Sequence, residues 1–125
     1  MRVAIALATW VGALACAETP AQGFEDFYGA LVDTDARALD RLDASSRREV
    51  EQAARARQVE PVRVLTGEGV RSTLRAIRVR ERTGARATLE VEDALGATEV
   101  VTMVLEQGRW KVALARAPDD AAGAP

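Results

Sequence analysis

The stretch VVTMVLEQGRWKVAL, residues 100–114, decides the fold of this chain. Gln107-Gly108 has the composition of a two-residue hairpin turn, and counting outward from it pairs residues across two strands. The pairs on one face are all apolar: Leu105 with Trp110, Met103 with Val112 and Val101 with Leu114. Val100 and Val104 make the other face of the first strand apolar as well, which predicts a central strand covered at least partly on both faces.

A second hairpin is predicted immediately before this one, around Gly84. Apolar residues alternate with charged ones on both sides of that glycine, and this is the period of a strand with one buried face. A three-residue loop at residues 83–85 places Val79 opposite Leu89, so that apolar residues face each other. A two-residue loop at residues 83–84 mixes the two faces, and the sequence therefore favours the longer loop.

The mature chain opens with the signals of an amphipathic helix. Thr19, Pro20 and Gln22 form a helix start, because threonine caps the free amides, proline is tolerated in the first turn and glutamine reaches back to the cap. An apolar stripe with helical spacing follows, made of Phe24, Phe27, Tyr28 and Leu31. This stripe predicts a helix whose aromatic face packs on the rest of the protein.

Two shorter helices are predicted between that helix and the strands. One is capped by residues 33–35, and Ser46 opens a capping box for the other. Residues 58–69 contain proline and glycine and are predicted to be a connection with a short strand at residues 62–65. Helices followed by antiparallel strands predict an α+β fold, with the N-terminal helices packed on one face of the sheet.

The first 15 residues have the layout of a secretory signal. Arg2 is followed by an uncharged stretch that ends in small residues and is shorter than the roughly 20 residues of a membrane-spanning helix. Two cleavages fit this stretch: an ordinary signal-peptidase site, or a lipobox-like site that ends at Cys16. The sequence favours the second, because Cys16 is the only cysteine and polar residues follow it directly. Lipid attachment on Cys16 is therefore the expectation.

The chain divides into three parts on this interpretation. Residues 1–15 are the predicted signal peptide of lipoprotein type, and residues 16–116 form one domain. Residues 117–125 contain aspartates, glycine and two of the four prolines, and they are predicted to be a disordered tail.

Composition excludes several kinds of function. The chain has no histidine, which removes the usual general base and the usual zinc ligand, so that no metal site and no cofactor are expected. A lone cysteine forms no intramolecular disulfide, and the fold must hold by its core. The formal net charge of −2 argues against a nucleic-acid partner, which normally calls for a strongly basic domain.

Two short motifs resemble a known superfamily. The opening helix FEDFYGAL, residues 24–31, and the closing EQGRWKV, residues 106–112, are similar to those of small bacterial lipoproteins of the nuclear-transport-factor-two-like, cystatin-like superfamily. The resemblance covers roughly residues 19–115 and implies a curved antiparallel sheet wrapped around helices, with a cone-shaped cavity. Isomerases, dehydratases, ligand carriers and dimerisation modules share that fold, so the resemblance does not select one activity.

Three residues are the candidates for the cavity: Tyr28, Glu81 and Trp110. Strand parity makes Glu81 continue the inward face of Val79, where desolvation would raise the pKa of a carboxyl towards that of a general base. The alternative for Glu81 is a solvated position beside the hairpin turn. Tyr28 has a hydroxyl for a ligand oxygen, although a ring packed in the core is the commoner role. No catalytic residue can be assigned from the sequence.

The most unusual local composition is a run of arginines at residues 71–82. These side chains would either bind anionic lipid headgroups or form a solvated face neutralised by acids such as Glu90 and Glu92. The predicted register places Glu90 among the arginines and favours the solvated face.

These features together predict a small binding or interaction domain of the bacterial envelope, anchored in the membrane by lipid on Cys16. Ala17 behind the cysteine favours the outer membrane, and plain cleavage would give a periplasmic or secreted protein instead. The partner would be an apolar small ligand in the cone, or a protein, or a second copy joined through the sheet. The alternative is a secreted isomerase- or dehydratase-like enzyme that uses Glu81 and Tyr28 on a small organic substrate.

Overall fold

A computed structural model describes residues 17–67 and 72–114. The predicted signal peptide 1–15, Cys16 and the predicted tail 117–125 lie outside the described residues. The elements follow in this order: α1 (Pro20–Val32), a 3₁₀ helix (Ala36–Arg41), α2 (Ala44–Arg57), α3 (Pro61–Thr66), β1 (Leu74–Thr83), β2 (Arg86–Asp93), β3 (Thr98–Glu106) and β4 (Arg109–Ala113). Helices precede strands, and the fold is α+β as predicted.

The strands form an open antiparallel sheet in the order β1-β2-β3-β4. In the last hairpin Leu105 lies opposite Trp110 and Met103 opposite Val112, which confirms the predicted register. The ladder between β3 and β4 ends at Ala113, so the predicted pair of Val101 with Leu114 is not part of it.

The hairpin between β1 and β2 differs from the prediction at its turn. Thr83 pairs with Arg86, so the loop has two residues and begins with Gly84, whose positive φ of 57° favours glycine. The predicted three-residue loop is therefore wrong. A β-bulge at residue 80 adds one unpaired residue, and from Val79 back to Ile77 the register is the one predicted, with Val79 opposite Leu89.

Helix α1 begins and packs as its sequence predicts. The Thr19 hydroxyl accepts a hydrogen bond from the Gln22 N–H at 3.1 Å, and the Gln22 side chain accepts one from the Thr19 N–H at 2.9 Å. The stripe faces the sheet: Phe24, Phe27 and Leu31 are buried and Tyr28 is half-buried. The capping box therefore fixes the helix start, and the stripe supplies much of the apolar contact.

The other helical segments show two differences from the predictions. Asp43, and not Ser46, caps α2, because its carboxylate accepts the Ser46 N–H at 2.9 Å. The Ser46 hydroxyl instead accepts the Leu114 N–H at 2.9 Å and ties α2 to the end of β4. Residues 62–65 belong to helix α3 and not to a strand, since Pro61 occupies the first turn of a helix and Val62 is buried.

The core lies between α1 and the sheet. Its largest fully buried side chains are Leu89, Met103 and Trp110, one on each of the three strands after β1. In the part of the chain that the structure describes, no helix has the length and apolar character needed to cross a membrane.

Candidate functional site: the α1 cleft

An apolar cleft lies beside the first residues of β3, which β4 does not cover. β4 ends at Ala113, opposite Thr102, whereas β3 begins further along the same edge at Thr98. On the β4 edge, no strand among residues 17–67 and 72–114 covers this first part of β3, and two adjoining hollows of about 180 and 170 Å³ lie there between α1 and the sheet. Both hollows are lined by Phe24, Tyr28 and Glu99, and we call them together the α1 cleft.

The two hollows have different walls. Aliphatic side chains dominate the inner hollow of about 180 Å³, among them Leu31, Leu65, Val101 and Leu114. The outer hollow of about 170 Å³ adds Leu74 and Val91 but also polar groups, including Asp93 and Thr98. The cleft therefore combines mainly apolar walls with a few polar groups, which is the usual character of a small-molecule site.

Tyr28 is the one sequence-predicted cavity residue that lines this cleft. Its ring lies 5.8 Å from the Phe24 ring, centroid to centroid, at an interplanar angle of 33°. Its hydroxyl donates a hydrogen bond to the main-chain carbonyl of Ser72, just before β1. Tyr28 therefore lines the cleft while its hydroxyl is engaged in the protein.

Glu99 is the residue that the sequence reasoning missed. It lies on β3 opposite Val91, on the inward side of the strand that also carries Val101 and Met103, and its side chain is exposed at the mouth of the cleft. The signal was available, because Glu99 precedes the predicted inward residue Val101 by two positions. The parity argument applied to Glu81 selects Glu99 equally well.

Glu81 does not join the cleft. The bulge at residue 80 reverses the parity of β1, so that Glu81 pairs with Thr88 on the opposite face from the buried Ala87 and Leu89. The side chain is exposed, and it lines a shallow surface depression beside the turn. The inward position expected for Glu81 is therefore wrong for this physical reason.

Trp110 is buried inside the core and does not line the α1 cleft. Its relative exposure is 1 %, and Gly23 of α1 packs directly against its main chain and Cβ. The guanidinium carbon of Arg82 lies 5.0 Å from the centre of the indole ring, within the range of a cation–π contact. Trp110 therefore contacts both α1, through Gly23, and β1, through Arg82.

Asp93 holds the turn between β2 and β3 at the outer hollow. One carboxylate oxygen accepts the Leu95 N–H at 2.9 Å and the Ala97 N–H at 3.0 Å. Desolvation raises the pKa of Asp93, but hydrogen bonds from Ala97, Ser72 and Leu95 outweigh it and the pKa lies below its ordinary value. The main role of the Asp93 carboxylate is therefore to stabilise the turn between β2 and β3.

A network of charged side chains around Arg41 lies near the start of α1. Arg41 is buried, and its guanidinium donates to Glu18 at 2.8 Å and to Asp26 at 2.6 Å. The Glu18 carboxylate also accepts a hydrogen bond from the main-chain N–H of Trp110 at 2.8 Å. Burial raises the pKa of the Glu18 carboxyl, but the bonds from Arg41 and Trp110 outweigh it, so the pKa lies below its ordinary value. This network ties the segment before α1 to β4.

The arginine run on β1 forms ion pairs across the outer face of the sheet. Arg78 lies 3.6 Å from Glu90, and Arg75 lies 3.7 Å from Glu92. These exposed ion pairs agree with the solvated face that the sequence predicts. Each pair contributes little to stability.

Comparisons with known proteins give no family for this chain. No family model matches it, and neither a curated protein nor a solved structure is significantly similar to it. The class that the fold and site define is an α+β domain with an open apolar cleft beside its first helix.

Proposed function

We propose that this chain is a small binding domain of the bacterial envelope, and that its α1 cleft takes an apolar ligand. The observation that carries the proposal is the cleft itself, about 180 Å³ in its inner hollow and lined mainly by aliphatic and aromatic side chains. A cavity of about 150 Å³ with such walls is large enough to hold benzene. The inner hollow therefore fits a ligand with one ring or a short branched chain.

The proposed anchor is lipid on Cys16. Glu18 is bonded to Arg41 and Trp110, and only Ala17 separates it from Cys16. Two residues span at most about 7 Å, so a lipid on Cys16 would hold the domain directly against the membrane, without a long tether. The resemblance to envelope lipoproteins of the cystatin-like superfamily supports this location.

The alternative, an isomerase- or dehydratase-like enzyme, has weaker support. Glu81, its proposed general base, is exposed on the far face of β1, and the Tyr28 hydroxyl is engaged with Ser72. Glu81 and Tyr28 therefore do not form a pair around one substrate.

The binding proposal is tested by filling the cleft. Val101 lines the inner hollow and is partly buried, so Val101→Trp places an indole where the ligand would lie. The matched control is Val104→Trp on the same strand, because Val104 lies on the other face opposite Lys111. The probe is the neutral fluorophore N-phenyl-1-naphthylamine, whose emission rises on transfer from water to an apolar site.

The wild-type chain and Val104→Trp should enhance the probe emission with saturation, and Val101→Trp should lose most of that enhancement. Equal enhancement by Val101→Trp and the wild type, with both folded by circular dichroism, would contradict a ligand site in the α1 cleft.

The anchor is tested by the intact mass of the chain extracted from bacterial envelopes. A diacyl or triacyl cysteine at a new N-terminus is expected at Cys16, and Cys16→Ser should release the chain from the membrane fraction. An unmodified thiol on a full-length chain would overturn the proposed location.

A further inference from the structure

The charged side chains among the described residues that line the α1 cleft are all of one sign. Among the described residues that line the two hollows, the ionisable acids are Glu99 and Asp93, and no lysine or arginine lines either hollow. A cleft lined by charges of one sign raises the local concentration of the opposite charge and disfavours its own. The cleft is therefore electrostatically suited to a cation and unsuited to a carboxylate or phosphate.

The two acids differ in what they can offer a ligand. The Asp93 carboxylate is already used by the N–H groups of Leu95 and Ala97. Within the described part of the chain, the Glu99 carboxylate has neither an ion-pair partner nor a hydrogen-bond donor. It lies at the mouth shared by both hollows. Glu99 is therefore the group with unused capacity for a positive charge.

Aromatic rings stand beside Glu99 in the same walls. Phe24 and Tyr28 line both hollows with it, and their rings are tilted towards each other with centroids 5.8 Å apart. The face of an aromatic ring carries partial negative charge and attracts a cation within about 6 Å. Rings of this kind stabilise a substituted ammonium, whose methyl groups prefer apolar contact, better than a strongly hydrated metal ion.

We propose that the α1 cleft binds a small apolar ammonium ion, a quaternary ammonium group on an aromatic or branched aliphatic body. Its body occupies the inner hollow against Leu31, Leu65 and Val101, and its charge lies between Glu99 and the ring of Tyr28. This inference rests on the proposed binding function and names the ligand class for it. The larger polar depression near Asp26, about 510 Å³, is not the site, because Arg37, Arg41 and Arg109 line it and offset its acids.

The test compares two ligands of the same shape. Benzyltrimethylammonium carries the charge, and neopentylbenzene is its neutral carbon isostere. Binding of both to the full chain is measured by nuclear magnetic resonance titration. The cation should bind at least about fivefold more tightly than the isostere, and Glu99→Gln should remove that preference while changing the affinity for the isostere less than about twofold. Glu92→Gln on the outer face is the matched control and should keep the preference.

The outcomes separate this inference from the function on which it rests. Equal binding of cation and isostere, or a preference that survives Glu99→Gln, overturns the ammonium site while the apolar cleft stands. Failure of both ligands to bind, together with no effect of Val101→Trp on the neutral fluorophore, overturns the binding function as well.

Discussion

Gly23 of α1 packs directly against Trp110 of β4. A Cβ at position 23 would lie 2.8 Å from the Trp110 Cβ and 2.9 Å from the Trp110 carbonyl oxygen. Neither atom can move away without moving β4. The absence of a side chain at residue 23 therefore sets how near α1 approaches the sheet.

This contact predicts opposite effects for two glycines of the same helix. Gly23→Ala should destabilise the domain by about 1–3 kcal/mol, because the added methyl group overpacks the interface. Gly29→Ala should stabilise it by about 0.5–1 kcal/mol, because nothing lies within 4 Å of the new Cβ and alanine favours the helix. Urea unfolding of the two variants and the wild type measures both. Equal effects would contradict the packing of α1 on Trp110.

The Glu18 carboxylate predicts how stability depends on pH. Its pKa is lowered in the folded state because the bonds from Arg41 and the main-chain N–H of Trp110 outweigh desolvation. The contribution of Glu18 to stability is therefore present above the pKa of the unfolded chain and is lost as pH falls through the folded pKa. The urea concentration at the unfolding midpoint should therefore decrease as the pH is lowered from about 6 to about 3. Glu18→Gln should make that decrease smaller. Glu25→Gln, at an exposed position of α1, is the control. A pH profile unchanged by Glu18→Gln would argue against the network.

At the scale of the elements, the bulge in β1 decides which side chains face the core. It leaves Val79 opposite Leu89 but moves Glu81 outwards, and it brings Arg82 opposite the buried Ala87. Alanine leaves room above the sheet, and the Arg82 guanidinium reaches the Trp110 ring through that space. The extra residue at position 80 therefore places the Arg82 guanidinium, and not the Glu81 carboxylate, on the inner face of the sheet.

The exchange predicts different effects for two neighbouring arginines. Arg82→Ala should destabilise the domain by about 0.5–1 kcal/mol and shift the Trp110 emission to longer wavelength, because it removes the cation–π contact and admits water to the ring. Arg80→Ala, at the exposed bulge, should do neither. Emission is measured in a Trp10→Phe background so that only Trp110 reports. A red shift in Arg80→Ala and none in Arg82→Ala would contradict the register of β1.

The elements also show how far strand parity extends. The final hairpin was predictable because its turn has a distinct composition and its inward pairs are apolar on both strands. The bulge was not, since one unpaired arginine among exposed arginines leaves no mark in an alternating pattern. Helix α3 was missed because Val62, Val64 and Leu65 suit a strand by composition, and only Pro61 indicates a helix start.

At the scale of the whole molecule, the order of helices and strands fixed the α+β class, since short helices need a sheet on which to bury their apolar stripes. The cleft was less accessible to prediction. It depends on β4 ending at Ala113, where it leaves the first residues of β3 without a partner from β4. It also depends on how α1 packs against that part of the sheet. The cone, the anchor on Cys16 and a dimer through the sheet stay predictions.

The most direct test of the central claim is a map of amide chemical shifts on titration with benzyltrimethylammonium. We expect the largest shifts at Tyr28, Glu99 and Val101, which line the α1 cleft on its helix and sheet sides. Largest shifts around Arg37 and Arg109, or no saturable shifts in the described part of the chain, would contradict a ligand site beside α1.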